Sequence, residues 1–328
     1  MLTAGKSRAL ARLSDGQLRF FAVAIDQRPP LMDLVRRAVG DLADEELEGR
    51  VRALKGLLAE TLSDLASAVL IDPRYGLPTA LPRVPRETGL LLTLERHRFE
   101  ERGGFRLSGL IPGWSAERAV AAGADGLKLL AWHRPEAPAE ITEQQVALVR
   151  RVGEACRQLD RAFVLELLPY PLPGESPESY RRKLRALSQD ILDPFADPGL
   201  GVDLYKLALP VAADSVADWG GDGPSLAELE GDLRAYGRLP APWLLLSGGL
   251  DATQFAQALA AALRAGARGY LAGRAVWLEP LSGYPDLIAC RQALLSRGRR
   301  TLQQLSDQLA ILPPQQLETD WVQAGVGG

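Results

Sequence analysis

Lysine is scarce in this chain. Of 38 basic residues only five are lysine, namely Lys6, Lys55, Lys128, Lys183 and Lys206, and the rest are arginine. Histidine is scarcer still, with only His97 and His133. Two imidazoles cannot build a zinc site that needs several, and neither follows a nucleophile-elbow motif that would support a Ser-His-Asp triad. Cysteine is limited to Cys156 and Cys290, with no metal or redox spacing, so both are expected as reduced thiols. No apolar run approaches the ~20 residues that span a bilayer. No apolar stretch follows Lys6, Arg8 and Arg12 as in a secretory signal. The formal net charge of −3 is too balanced to call for nucleic acid or an anionic membrane surface. These absences lead to the expectation of a soluble, cytoplasmic protein.

What is present is rhythm. Eight short apolar segments alternate with longer helical patterns. They are 20–26 (FFAVAID), 66–72 (ASAVLID), 89–95 (GLLLTLE), 126–133 (GLKLLAWH), 163–170 (FVLELLPY), 204–211 (LYKLALPV), 242–248 (PWLLLSG) and 269–277 (GYLAGRAVW). Near-continuous apolar strands between helices are the mark of a parallel sheet covered on both faces. Eight such units over some 260 residues match the ~250 of a (β/α)8 TIM barrel. No Gly-x-Gly-x-x-Gly turn follows the first strand, which counts against an open doubly wound sheet. Helices are expected over 44–65, 115–122, 144–159, 179–192, 225–236 and 252–265. Leu47, Val51, Leu54, Leu57 and Leu58 form a stripe on the first of these, and Ser115 caps the second. The chain reads as a single barrel domain with a core of about 20–280. Extra C-terminal helices follow over 285–312, and the last fifteen or so residues are expected to be frayed. The proline-rich stretch 169–177 (PYPLPGESP) follows the fifth strand and is placed to shape the mouth of the barrel, or to serve as a plain exposed connection.

Catalytic groups of such barrels sit at the carboxyl ends of the strands. Strand one ends in Asp26-Gln27-Arg28, with Asp26 a candidate catalytic carboxylate, and strand two in Asp72, a candidate substrate contact. Strand four carries Lys128, strand five Glu166 and strand six Lys206. Strand seven ends in Ser247-Gly248-Gly249, and strand eight holds Gly273-Arg274. Lys128, Glu166 and Lys206 lie on consecutive strands and are expected as neighbours. Burial disfavours the charged form of an amine, and a lysine, unlike arginine, can become a neutral nucleophile. A reactive amine works near pH 7–8 against an ordinary lysine value of about 10.4, a cost on the order of 4 kcal/mol. Lys128 would supply a second cation beside Lys206, and Glu166 would move protons. The alternative is a buried Lys–Glu pair that only stabilises the barrel, and such pairs are weak stabilisers. Ser247-Gly248 and Gly273-Arg274 stand where this fold holds phosphate, and Arg28 could take a second anionic group across the mouth.

At these residues the chain resembles the tagatose-1,6-bisphosphate aldolase family of class I aldolases. The likeness runs from about Ser14 to Trp277. It is carried by 24–28 (AIDQR), 70–78 (LIDPRYGLP), 124–130 (ADGLKLL), 165–168 (LELL), 203–211 (DLYKLALPV), 245–250 (LLSGGL) and 271–277 (LAGRAVW). The resemblance implies a Schiff-base lysine at Lys206, with Glu166 and Lys128 beside it. It implies substrate contacts from Asp26, Gln27 and Arg28, and phosphate contacts from Ser247, Gly248, Gly273 and Arg274. It implies a metal-independent lyase, without cofactor, that cleaves a ketohexose 1,6-bisphosphate to dihydroxyacetone phosphate and glyceraldehyde 3-phosphate. Two departures stand out: Ala208 replaces an acidic residue two positions after the lysine, and Pro29-Pro30 follow Asp-Gln-Arg. A sister group that cleaves 6-deoxy-6-sulfofructose 1-phosphate resembles the chain in some of the same segments. A proton-transfer isomerase and a catalytically silent sugar-phosphate sensor remain open as other classes. The partner in every case is a small phosphorylated sugar, and assembly into a homo-oligomer is compatible with the sequence.

Overall fold

A computed structural model describes residues 2–313, so the expectation for the last fifteen residues lies outside the described part. Eight parallel strands close into a barrel. They are β1 (Phe20–Ala24), β2 (Ala68–Ile71), β3 (Gly89–Thr93), β4 (Gly126–Trp132), β5 (Ala162–Leu168), β6 (Leu204–Leu207), β7 (Trp243–Leu246) and β8 (Gly269–Ala272). Each strand pairs with its sequence neighbours, and β8 closes on β1. Strands buried on both faces need apolar side chains on both sides, which is why the alternation is muted.

Residue parity sorts the two faces. Phe20, Ala22, Ala24, Leu70, Leu91, Val164, Leu204, Leu244 and Leu271 fill the barrel interior. The alternate residues Val23, Val69, Leu92, Leu129, Leu165, Tyr205, Leu245 and Tyr270 belong to the larger core under the helices. The amino-terminal end is plugged by a helix absent from the sequence expectations, α1 (Ala4–Leu13), capped by the Thr3 side chain. Its Leu10 and Leu13 complete the interior cluster. A Cβ on Gly126 would come within 2.8 Å of Leu13, so β4 begins with glycine where the plug approaches most closely. Lys6 on the same helix pairs with Asp203 at 3.0 Å.

The outer layer departs from expectation in three places and keeps the helix expected over 44–65. Pro29 and Pro30 open a helix, α2 (Pro29–Val39), at the first-turn positions where proline loses nothing. The helix α3 (Asp44–Leu62) buries Leu47, Val51, Leu54, Lys55, Leu58 and Leu62. A charged hairpin, Glu100–Arg102 with Phe105–Leu107, stands after β3. Strand eight ends at Ala272, and Arg274–Trp277 form one helical turn instead of continuing it. The expected C-terminal helices are present as Leu287–Ala293 and Arg299–Gln308, joined by a helical segment at 294–298. No helix among the described residues is long and apolar enough to cross a membrane.

Candidate active site

The inward series of residues does not stop where the strands fray. Phe20, Ala22 and Ala24 are followed by Asp26; Leu91 and Thr93 by Glu95; Val164 by Glu166; Leu204 by Lys206. Apolar floor thus gives way to charge at the carboxyl end. Glu166 and Lys206 face each other in register across β5 and β6. Lys128 lies a layer deeper, in register with Val164, and reaches upward. The Nζ atoms of Lys128 and Lys206 both approach one oxygen, Oε2 of Glu166, at 2.7 and 2.9 Å. Lys128 also meets Glu95 at 2.6 Å and Asp26 at 3.4 Å. All five side chains are buried.

These groups line a cavity of about 420 Å³ at the mouth, within the usual range for small-molecule sites. Gln27, Arg28, Ser247, Gly248 and Arg274 share its wall. The turn after β7 needs its glycines, because Gly248 and Gly249 have φ of +57° and +100°. The Arg274 guanidinium lies against Gly249, where a Cβ would stand 3.4 Å from both terminal nitrogens. Gly273 is not on the wall: its N–H donates to the Ser247 hydroxyl at 3.3 Å. A Cβ there would come within 2.6 Å of the Gln27 amide, so the glycine lets β8 and the Asp26–Arg28 segment touch. Of the proline-rich stretch, Pro169 reaches the cavity. The buried Arg134 holds the rest by donating to the Tyr170 carbonyl at 2.7 Å and to Glu175 at 3.0 Å.

Two arginines of the site are buried or partly buried yet pair with no carboxylate among the described residues. Among the described residues the Arg28 side chain donates to the Glu95 carbonyl alone, at 3.2 Å, just past the end of β3. Arg274 lies beside the end of β7. In the closed strand order β3 and β7 are four strands apart either way, which is diametric opposition. Asp26 Oδ1 and Gln27 Oε1 are likewise buried with no hydrogen-bond partner among the described residues. Unsatisfied acceptors and arginines without a carboxylate partner around one cavity can take hydroxyl donors and anionic groups.

Asp72 is the expected substrate contact that the structure relocates. Strand β2 ends at Ile71, and Asp72 turns away from the mouth into a sealed pair with Lys55 at 2.6 Å, neither side chain exposing any surface. The Lys55 side chain of α3 holds it there, away from the cavity. Glu95 is the residue that the sequence reading passed over. Period-two counting from Leu91 and Thr93 points to it.

The electrostatics separate the acids. Burial alone would raise Glu166, but Lys128 and Lys206 outweigh it and hold the carboxyl below its ordinary range. Asp26 is likewise buried and likewise lowered, by Lys128, Lys206, Lys55 and Arg28. Glu95 goes the other way: burial lifts it, and Lys128 only partly compensates. Lys128 is opposed by burial but surrounded by Glu166, Glu95 and Asp26, so it is raised and stays a cation. Carboxyls driven apart in this way are suited to different proton-transfer roles.

Neither histidine joins these groups. His97 lies at the cavity rim. His133 is buried edge-on against Phe195, and burial pushes its pKa down to about 4. The unfolded chain therefore takes up a proton near pH 6.5 that the folded chain refuses. Stability should be full above pH 6.5 and fall as the pH drops toward 4, by about 2 kcal/mol at pH 5 from this group. Urea melts at pH 7 and pH 5 check this. His133→Phe should remove that part of the acid slope, and an unchanged slope would assign it elsewhere.

A closed β/α barrel with amines and carboxylates gathered at its carboxyl mouth defines an enzyme of the TIM-barrel class. Residues 20–279 match the model of the DeoC/LacD family aldolases. The chain belongs to that family. It is 30% identical over 315 residues to tagatose 1,6-diphosphate aldolase 1 of Streptococcus mutans serotype c, covering 93% of this chain and 95% of that one. It is 31% identical to tagatose 1,6-diphosphate aldolase 2 of Streptococcus pyogenes serotype M1, covering 93% and 94%. Among solved structures, the fructose-bisphosphate aldolase of Plasmodium falciparum superposes with a TM-score of 0.63 at 15% identity, covering 93% of this chain and 96% of that one. That likeness supports the fold.

Proposed function

We propose that the protein is a metal-independent class I aldolase. It cleaves a ketohexose 1,6-bisphosphate, with tagatose 1,6-bisphosphate as the substrate to test first, to dihydroxyacetone phosphate and glyceraldehyde 3-phosphate. The observation that carries this reading is the pair of buried amines on one carboxylate oxygen of Glu166, at 2.7 and 2.9 Å. One amine can act as nucleophile while the other, Lys128, keeps the charge. The expected single barrel domain accommodates every group involved, and the two free, buried thiols fit a reducing, cytoplasmic setting.

In this reading the Lys206 nitrogen attacks the C2 ketone of the open-chain sugar. Glu166 takes one proton from the Lys206 nitrogen and relays it to the C2 oxygen, a second passes there from the nitrogen once it has added, water leaves, and a protonated imine forms. Asp26, whose Oδ1 is uncommitted, takes the C4 hydroxyl proton. The C3–C4 bond breaks, its electrons pass to the imine nitrogen, and the aldehyde departs. Protonation of the resulting enamine at C3 and hydrolysis release the ketone. Ser247 and Gly248 follow β7, the neighbour of β6, and with Arg274 beside them hold the 1-phosphate next to C2. Arg28, across the mouth, holds the anion at C6. Remote contacts of this kind position the reacting carbon.

The two anion sites can be told apart by kinetics. Arg274→Leu should raise KM roughly 10–100-fold for both the bisphosphate and the corresponding ketohexose 1-phosphate. Arg28→Leu should raise KM by a similar factor for the bisphosphate and leave the monophosphate nearly unchanged. An Arg28→Leu variant that weakens both substrates equally would overturn the assignment of the C6 side. Assays with tagatose and fructose bisphosphates and the 6-sulfonated analogue, each with a borohydride arm, test the function itself.

A further inference from the structure

Three of the five lysines converge on the upper end of the barrel, and only two of them face the cavity. The third, Lys55, sits on the inner face of α3 among Val51, Leu54 and Leu58, with no exposed surface. Its Nζ donates to Asp72 Oδ1 at 2.6 Å and to the main-chain carbonyl of Ile25. Asp72 is anchored in turn, because its Oδ2 accepts the Tyr75 N–H at 2.9 Å. Ile25 is the residue directly before Asp26-Gln27-Arg28. Its N–H still belongs to the barrel ladder, bonding the Leu70 carbonyl at 2.9 Å. Its carbonyl is held by an ammonium group from the helix layer.

Stability alone explains this poorly. A sealed ion pair contributes little over well-packed apolar residues of the same volume, although breaking one half of it is costly. A fixed cation at the point where β1 releases three cavity residues has a geometric consequence. We propose that Lys55, anchored by Asp72, is a positioning residue: by fixing the Ile25 carbonyl it sets the Asp26 carboxylate and the Arg28 guanidinium at the mouth. It touches no substrate. The inference rests on the reading of Asp26 as the base at C4. Asp26 meets Lys128 from β4, Lys206 from β6, Arg28 from its own segment and Lys55 from behind, with Glu166 and Glu95 as the like charges nearby.

The test is the double variant Lys55→Met/Asp72→Leu, which removes both charges and strands neither. With its fold verified by circular dichroism and melting, kcat should fall roughly 10–100-fold, as expected when a reacting group shifts by an ångström or less. The acid limb of the kcat profile should move to higher pH, because Asp26 loses a cation. The bisphosphate KM should rise through Arg28, while borohydride still traps substrate on Lys206, since imine formation does not need Asp26. A folded double variant with parental kcat, KM and acid limb overturns the inference. Lys55→Gln, which keeps an N–H for the Ile25 carbonyl, should recover part of the kcat lost in Lys55→Met; equal losses also overturn it. Borohydride trapping in the parent protein is the control that separates failure of the imine reading from failure of this one.

Discussion

Lys206→Ala should lower kcat by on the order of 10⁵-fold, the scale on which removal of a covalent nucleophile is felt. It should also abolish the borohydride-stable adduct that mass spectrometry finds on the parent protein incubated with substrate. The loss will not be a folding defect. Glu166 keeps its 2.7 Å contact with Lys128 when Lys206 is truncated, so no buried carboxylate is stranded. The deletion opens onto the cavity rather than into the packed interior, because Lys206 is a cavity-wall residue. Melting temperature should therefore change little while turnover disappears. Lys206→Arg separates the competing chemistry. A guanidinium keeps the charge and cannot form the imine, so an isomerase working by proton transfer alone would survive it and an aldolase of this type would not. Retention of cleavage in either variant would remove the imine from the mechanism.

The barrel and most of its site were legible in the sequence for one physical reason. Buried parallel strands are apolar on both faces, so any charged residue inside or just after one stands out. Lys128, Glu166 and Lys206 stand out in this way, and the Gly-rich turn after β7 stands out by its place after the seventh strand, where this fold holds phosphate. The misses have equally specific causes. Helix α1 is short and packs only two leucines inward, Leu10 and Leu13, so its pattern is faint. The hairpin after β3 is held partly by Arg106, whose guanidinium stacks on Phe99, Trp132 and Tyr170. Three rings from three segments leave no local signal. Asp72 was misplaced because strand parity cannot show where a strand ends, nor that Lys55, some 17 residues away, would claim the carboxylate. Glu95 obeyed the parity rule and was passed over because its strand offered no lysine to draw notice to it.

Glu166→Gln should reduce kcat by roughly 10²–10⁴-fold, the range over which a positioned proton carrier acts. The amide fills the same space and can still accept a hydrogen bond, so the variant tests charge and proton transfer rather than shape. Lys128 and Lys206 lose the negative charge they share. Lys128 retains Glu95 at 2.6 Å, whereas Lys206 keeps no carboxylate contact among the described residues. Imine formation should therefore slow, and the rate of borohydride labelling should fall with it. Stability supplies the second readout. The folded-state pKa of Glu166 lies below its ordinary value, so its contribution is present above about pH 4.5 and is lost as the pH falls through the folded value. The variant should be less stable than the parent at pH 7, and the difference should shrink in acid. A purely structural ion pair would give that stability pattern alone, with kcat intact. Only a group that carries protons for Lys206 loses turnover and labelling rate together.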